Sequence, residues 1–495
     1  MGETIEGYAA PVHRTEVDGI PCFWADLPEE FEARLCFRVG AYDETLATRG
    51  TTHLIEHLAI ADTPFVRWNY SAWVMGLVTT FSVFGGVEDV VDGLAAVCAR
   101  LREPPLERVP TTRRALLTED SRTSAARRTL KARYGARGPG LAWYPEYGVR
   151  RVTQEHIADW TRERFTAGNA VLLLTGAPPR GLRCRLHEGP RWPTVAPEPE
   201  VGELPRLIGA GDELCGVGYL YRPSAAESSA QDLVRNRVFE QLHYRLGIGE
   251  LYRHVTEPLG PELWHRYVSW EFLEGHDDAI VELVLAELRA SAEEGPTEDE
   301  LATNRVWGRN YAANLDHGKD WLTELMEEEL LGVEPCLAGW GEAYAALDAA
   351  DVAEALVQAL PTLVVESNTG IPAEDLGLGT SPDWAHDPIE GTEFRTRPRE
   401  GRPSERLLIG DDAVSMVDGD HTSTVRVGDL AILAKSDDAR ELIDLEGGSL
   451  YVEAAEWADG RWAFALIDAL VPAELTVDVE VDGPEVPHFY LDGEA

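Results

Sequence analysis

Two histidines and a glutamate fall within five residues in Gly50-Thr-Thr-His53-Leu-Ile-Glu56-His57-Leu58. On a helix the four-residue step from His53 to His57 is just over one turn, so both side chains leave one face. Two imidazoles placed in this way can reach one zinc ion, which takes histidine nitrogen at about 2.0–2.1 Å. Glu56 lies at the edge of the same face. A carboxylate there can take the proton of a water that attacks a carbonyl. The plainer reading is a packed helix with two ordinary histidines. Leu54, Ile55 and Leu58 would pack such a helix, and that packing fixes where the histidines face. Polar side chains at a packed site need partners, and a metal ion is one.

A catalytic zinc site takes three protein ligands and keeps a position for water. Glu119 is the candidate third ligand, in Arg113-Arg-Ala-Leu-Leu-Thr-Glu119-Asp120-Ser-Arg122. An apolar strip (Ala115, Leu116, Leu117) runs there into an acid pair on an expected helix. By local pattern alone the pair reads equally well as a solvated face beside arginines. The order His-x-x-Glu-His is that of the inverzincins, the reverse of His-Glu-x-x-His. A structural zinc site would be closed by a fourth protein ligand, and none stands out in the sequence.

The elements that must position these residues are legible as alternating runs. Pro11 to Glu16, a turn at Asp18-Gly19, and Ile20 to Ala25 form a hairpin. Ala33 to Gly40 is a further strand, and residues 50–61 are the histidine-bearing helix. Trp73 to Phe84 reads as one strand-like stretch that ends at Gly85-Gly86. Val87 to Leu101 has helical spacing, Glu103-Pro-Pro-Leu breaks it, and the Glu119 helix follows.

These residues resemble the insulinase/pitrilysin family of zinc peptidases, which includes the mitochondrial processing peptidases. Gly50 to Leu58 is similar to the family's zinc helix, and Thr111 to Arg122 is similar to its second-ligand helix. Asn169 to Gly176 is similar to the strand that closes the family's first repeat. The likeness runs over residues 10–375, and the interval from His57 to Glu119 is shorter than usual for the family, with Ala61 to Gly76 trimmed. The resemblance implies zinc on His53, His57 and Glu119, with Glu56 as the general base. It also implies an edge strand that receives substrate by strand addition. Gly76 to Phe81, with Gly76, Thr79, Thr80 and Phe81 as contacts, is the expected strand, and an ordinary core strand is the alternative.

A second repeat is expected after the Pro- and Glu-rich stretch from His187 to Gly202. Leu214 to Tyr221 is a strand, followed by a helix that contains Arg237-Val-Phe-Glu240-Gln241. Set beside the histidine motif, this reads as a degenerate copy in which Arg237 and Gln241 replace the histidines. Neither is an ordinary zinc ligand, so the second half is expected to be metal-free. Asp277 to Glu294 and Asp320 to Leu331 are acidic helices, and Leu363-Val-Val-Glu-Ser is the closing strand. The family's substrate-gripping arginine and tyrosine have no clear match in Leu251 to Gly260. Thr256 stands where the arginine is expected, with Arg253, Trp264 and Tyr267 nearby. Either the pair stands at another register in this stretch, or this subunit does not carry it and a partner subunit would supply it.

The chain has 495 residues, 44% of them hydrophobic, and a net charge of −43 from 44 basic and 87 acidic side chains. Nucleic acid and anionic membranes are poor partners for such a charge. The charge reads as a soluble or salt-tolerant surface, or as an acidic chamber that draws basic peptides. No apolar run approaches the roughly 20 residues of a membrane helix. The N-terminus has neither a basic region nor an apolar signal core. The six cysteines are scattered without Cys-x-x-Cys, as expected for reduced core residues of a cytoplasmic protein.

From Arg406 on, short alternating strands run to a turn at Leu445 to Ser449 and a closing helix from Arg461 to Leu470. The expected fold class is α+β: two homologous α/β repeats of the insulinase-like metallopeptidase fold plus a small C-terminal β-rich domain of a pleckstrin-homology-like kind. The expected boundaries are 1–185, a linker at 186–205, 206–375, a linker at 376–404, and 405–495. The expected activity is that of a zinc-dependent endopeptidase on peptides or leader segments. It would act as a homo- or heterodimer with another insulinase-like subunit. The alternative is a non-catalytic scaffold or regulatory subunit of such a dimer.

Overall fold

The computed structural model describes residues 3–28, 30–61, 69–119, 125–195, 197, 201–210, 214–380, 387–397, 405–419 and 421–479. Of the segment Ala61 to Gly76 that the resemblance marks as trimmed, residues 62–68 lie outside them, as does Asp120. The chain divides into two units, Met1–Asp383 and Trp384–Ala495.

The first unit contains two sheets. In chain order its first half runs β1 (Glu3–Ile5), β2 (Val12–Val17), β3 (Ile20–Trp24), β4 (Glu32–Phe37), α1 (Thr51–Ile60), β5 (Asn69–Val74), β6 (Thr79–Phe84) and α2 (Val87–Arg102). It continues through α3 (Val109–Leu116), α4 (Ala125–Tyr134), α5 (Tyr147–Arg151), α6 (Gln154–Arg164) and β7 (Ala170–Leu174). The second half runs β8 (Arg206–Ile208), β9 (Leu214–Tyr221), α7 (Ala225–Phe239), β10 (Gly249–Pro258), β11 (Trp264–Phe272) and α8 (Asp277–Glu294). It ends with α9 (Glu298–Ala313), α10 (Gly318–Leu331), α11 (Trp340–Ala346), α12 (Ala349–Ala359) and β12 (Val364–Glu366).

The two sheets repeat one plan. The first has strand order β1-β2-β3-β7-β4-β6-β5 and the second β10-β11-β9-β12-β8. Read from its other edge, the second matches the last five strands of the first, and the directions agree pair by pair. The β3–β7 and β8–β12 pairs are parallel, and the remaining pairs in the two series are antiparallel. By this match α1 and α7 are counterparts, each following the third strand of the series.

Each half also lends a helix to the other sheet. Trp321, Leu322, Leu325 and Met326 of α10 pack with Phe23, Cys36, Val171 and Leu173 of the first sheet. Conversely, α4 packs on the second sheet, where Arg128 pairs with Glu366 of β12 at 2.6 Å and Thr129 Oγ1 lies 3.2 Å from His265 Nε2 of β11. The halves are therefore interlocked. The stretch expected as a linker is pinned down as well. Arg191 pairs with Glu329 at 3.0 Å, Trp192 N–H donates to Asn169 Oδ1, and Arg38 Nε–H donates to Thr194 Oγ1.

The second unit holds β13 (Thr392–Arg395), β14 (Arg406–Ile409), β15 (Ala413–Asp418), β16 (His421–Arg426), β17 (Leu430–Lys435), β18 (Ala439–Asp444), β19 (Ser449–Glu453), α13 (Gly460–Leu470) and β20 (Thr476–Asp478). Two four-stranded sheets, β13-β14-β15-β16 and β19-β18-β17-β20, share a core around Leu407, Leu433, Val452, Trp457 and Ile467. Two details depart from the sequence reading. β13 lies inside the expected linker 376–404 and pairs with β14, and the helix is followed by a short strand parallel to β17.

All six cysteines are unpaired, and five of them are buried. Among the described residues no helix is long and apolar enough to cross a membrane.

Candidate metal centre

Helix α1 is held at its start by a carboxylate from outside the helix. Glu44 accepts hydrogen bonds from Gly50 N–H (2.8 Å) and Thr52 N–H (2.7 Å). These are two of the donors that a helix N-terminus leaves unpaired, and the helix dipole favours the anion there. Burial pushes the Glu44 carboxyl up to about 7, against the pull of Arg49 and of those backbone donors. Gly50 has a φ of 93°, and a Cβ there would come within 2.7 Å of Glu146 Cβ. Glycine thus lets the chain turn into α1 while α5 and its preceding residue Glu146 close up against it. Leu54, Ile55, Leu58 and Ala59 are buried in the first core cluster, which turns His53 and His57 to the opposite face.

On that face the histidines meet Glu119. Its carboxylate oxygens lie 3.6 Å from His53 Nε2 and 3.3 Å from His57 Nε2, one oxygen to each ring. The donor atoms of the three side chains all lie within 4.8 Å of one another. Tetrahedral zinc with bonds near 2 Å sets its ligand atoms about 3.3 Å apart, so the set fits that ion. The expected helix around Glu119 is shorter than the sequence pattern: α3 ends at Leu116, and Glu119 stands in the turn that follows, its N–H bonded to the Leu116 carbonyl. Its side chain remains half exposed.

Glu56 is buried, with an oxygen 3.4 Å from His57 Nε2 and 3.9 Å from His53 Nε2. Burial pushes its carboxyl up to about 7, with His53 opposing and the charges of Glu119 and Glu146 adding to the rise. Three carboxylates thus crowd two imidazoles, an arrangement that a cation relieves.

Sequence reasoning missed Glu146. It precedes α5 and accepts from His53 Nδ1 at 2.9 Å. Its carboxyl is held below the usual range despite burial, by the bond to His53 and by the charges of His53, Arg49 and Arg127. An ionised acceptor there keeps the ring proton on Nδ1 and leaves the Nε2 lone pair for a metal. No local pattern announces it, because 93 residues separate the pair.

The substrate-strand expectation needs correction. β6 is an interior strand, paired to β4 on one side and β5 on the other. Thr79, Thr80 and Phe81 are buried in it, and Gly76 lies in the turn before it. The edge of the sheet is β5. Trp73 to Phe84 is the end of β5, a hairpin turn and β6 rather than one stretch, since Met75 N–H bonds back to the Val78 carbonyl.

The degenerate copy also sits at a different register. His53 and His57 are three and seven residues past the cap Gly50. The same steps from Ser224, which caps α7, lead to Glu227 and Gln231. Both grip the Arg266 guanidinium, Glu227 Oε2 at 3.0 Å and Gln231 Oε1 at 2.8 Å. Arg237 lies near the far end of α7, paired with Glu300 at 2.9 Å, and Gln241 lies in the wider π-helical turn over Glu240–Leu246.

No protein-family model matches the chain, and no curated protein matches it. Solved structures do. A peptidase M16 inactive domain from Pseudomonas fluorescens matches at a TM-score of 0.58 and 15% identity, over 72% of this chain and 97% of that one. A protease from Helicobacter pylori matches at 0.59 and 13%, over 73% and 99%. Pitrilysin matches at 0.55 and 12%, over 81% of this chain and 53% of its own. The chain therefore has the α+β, insulinase-like fold of the M16 peptidases.

Proposed function

We propose that this chain is a zinc-dependent endopeptidase that cuts peptides or leader segments. The observation that supports the reading is the convergence of His53, His57 and Glu119 with Glu56 beside them. His53, His57 and Glu119 would hold the ion. Zinc bound there would supply Lewis-acid polarisation of the scissile carbonyl and acidify a water. Glu56 takes the proton of the attacking water and returns it to the leaving amine, a task suited to a carboxyl poised near neutrality. Glu146 keeps His53 in the right tautomer. The peptide pairs with the free edge of β5, whose backbone groups accept many sequences, and α1 packs beside that strand.

The M16-like part of this chain covers about half of pitrilysin. A second insulinase-like subunit, identical or different, would complete the clamshell and bring the substrate-gripping pair. The fold alone is equally compatible with a scaffold, since an inactive M16 domain shares it. The four side chains on α1 and after α3 favour the enzyme.

The test is zinc content per chain alongside cleavage of a mixed peptide library, with and without a chelator. About one zinc and chelator-sensitive cleavage support the proposal. About one zinc without cleavage points to a missing partner subunit, and absence of zinc leaves the scaffold.

A further inference from the structure

Of the three side chains that converge at the candidate metal centre, Glu119 is the one that stands outside a helix. Beyond α3 the side chains of Leu117, Thr118 and Glu119 are all exposed, so none of them anchors the turn in a core. The backbone of the turn bonds back into the helix it leaves. Leu117 N–H donates to the Arg113 carbonyl, Thr118 N–H to that of Ala115 and Glu119 N–H to that of Leu116, each at 3.0 Å. Where Glu119 stands is therefore set by where α3 stands.

Val109, Arg113 and Leu116 of α3 follow one another at steps of four and three, so they share one face. Val109 and Leu116 are buried in the first core cluster, together with Leu58 of α1. Arg113 is the charged member of that stripe, and its Nη2–H donates to the Val152 carbonyl at 2.7 Å. Val152 ends α5, where a helix leaves carbonyls unpaired and favours a cation. The same short helix is tied to the histidines. Glu146 at its start bonds His53. Arg49 Nε–H donates to the Tyr144 carbonyl at 2.9 Å, and Arg151 Nη1–H donates to the Ala47 carbonyl at 3.2 Å. A Cβ at Gly148 would come within 2.6 Å of the Thr48 and Arg49 carbonyl oxygens, so the chain that enters α1 lies directly against α5. One helix of five residues is bonded to both elements that bring the donor atoms together.

We propose that Arg113 is a positioning residue for the metal centre. Through the Val152 carbonyl it fixes α3 against α5, and so holds Glu119 across one ion from His53 and His57. This rests on the zinc reading of the site. A hydrogen bond with one charged member is among the stronger ones, and here it joins the element that carries Glu119 to the helix that orients His53. Arg113 stands six residues before Glu119 and does not pair with it; its partner is a carbonyl 39 residues further on.

The test is a double-mutant cycle in zinc affinity, read by competition with a chelator on the full-length protein. It compares wild type, Arg113→Met, Glu119→Gln and the two substitutions combined. Methionine keeps most of the arginine stem and removes the donors. The expected result is that Arg113→Met weakens zinc binding about tenfold in the wild-type background. In the Glu119→Gln background it should change affinity by less than about twofold, because the carboxylate that it places is already gone. With cobalt in place of zinc, the absorption spectrum of Arg113→Met should move toward that of Glu119→Gln. Arg113→Lys offers a donor with a shorter reach and should fall between wild type and Arg113→Met; the same cycle is run on it if Arg113→Met does not fold. Equal loss of affinity in both backgrounds, or none in either, overturns the assignment and leaves Arg113 a residue of the fold alone. None of these readings uses turnover. Zinc-bound protein that shows the coupling and cuts no peptide leaves the inference standing while the peptidase reading falls. Wild type that binds no zinc overturns both.

Discussion

Helices α1 and α7 occupy the same place in two copies of one sheet plan, and their polar faces meet different partners. In α1 the side chains three and seven past the cap are His53 and His57, which face Glu119. In α7 the same steps give Glu227 and Gln231, and the guanidinium of Arg266 fills the space between them. Arg266 is 8% exposed and also bonds the Tyr221 hydroxyl. A cation carried by the fold itself needs no exchangeable ion. The first half presents a polar, half-open face, whereas the second closes on a buried ion pair.

The largest expected effects lie in the first half. His57→Ala removes a ligand and should abolish both zinc binding and turnover, by more than the roughly 10–100-fold typical of residues outside the ligand set. Glu56→Gln should keep the zinc and lower kcat by about 10²–10⁴-fold. Zinc stoichiometry and peptide turnover on the same preparations check both, and unchanged turnover in Glu56→Gln would sink the mechanism.

The next effect is in the second half and concerns stability alone. Arg266→Met leaves Glu227 as a buried carboxyl without its partner, and breaking such a pair costs about 3–5 kcal/mol. Arg266→Met/Glu227→Gln should recover most of that loss. Denaturant midpoints measure both. Equal loss in the single and the double variant would mean that the pair is not what the site is built around.

Glu146→Gln tests the outer shell that the first half has and the second lacks. Zinc affinity should fall about 10–100-fold, read by competition with a chelator. Affinity equal to wild type would show that packing alone orients His53.

The parts that the sequence announces are the local ones. His53, Glu56 and His57 fit within one helical repeat, so their spacing alone reports a shared face. Glu146 and Arg266 act across 93 and 35 residues, and only the fold brings them in. β5 escaped notice for a different reason. Met75-Gly76-Leu77 is an apolar run with one glycine, and the hairpin turn inside it lacks the usual polar residues. Arg237-Val-Phe-Glu240-Gln241 shares the polar spacing of the histidine motif but not its distance from the helix start. Ser224 followed three residues later by Glu227 is a helix-start signature, and aligning it with Gly50 gives the register that the structure has.

The smallest effect concerns Arg237, the residue that the spacing of the motif had pointed to. Its pair with Glu300 lies on the same helix as the buried Arg266 pair but is about a third exposed on the Glu300 side. The Arg237 hydrogen bond holds the Glu300 carboxyl down at about 2, with burial opposing and the Thr297 cap assisting. The folded pKa is thus below the ordinary glutamate value of about 4.3. The stabilisation is therefore present above that ordinary value and is lost as pH falls from there through about 2. Solvent screening keeps it within about 1 kcal/mol. Glu300→Gln retains the reach needed for the reciprocal cap with Thr297, so it isolates the charge. Its deficit against wild type should shrink as pH is lowered from neutrality towards 2. Parallel acid titrations of Glu300→Gln and wild type would show that the exposed pair contributes nothing, and that on α7 only the buried cation matters.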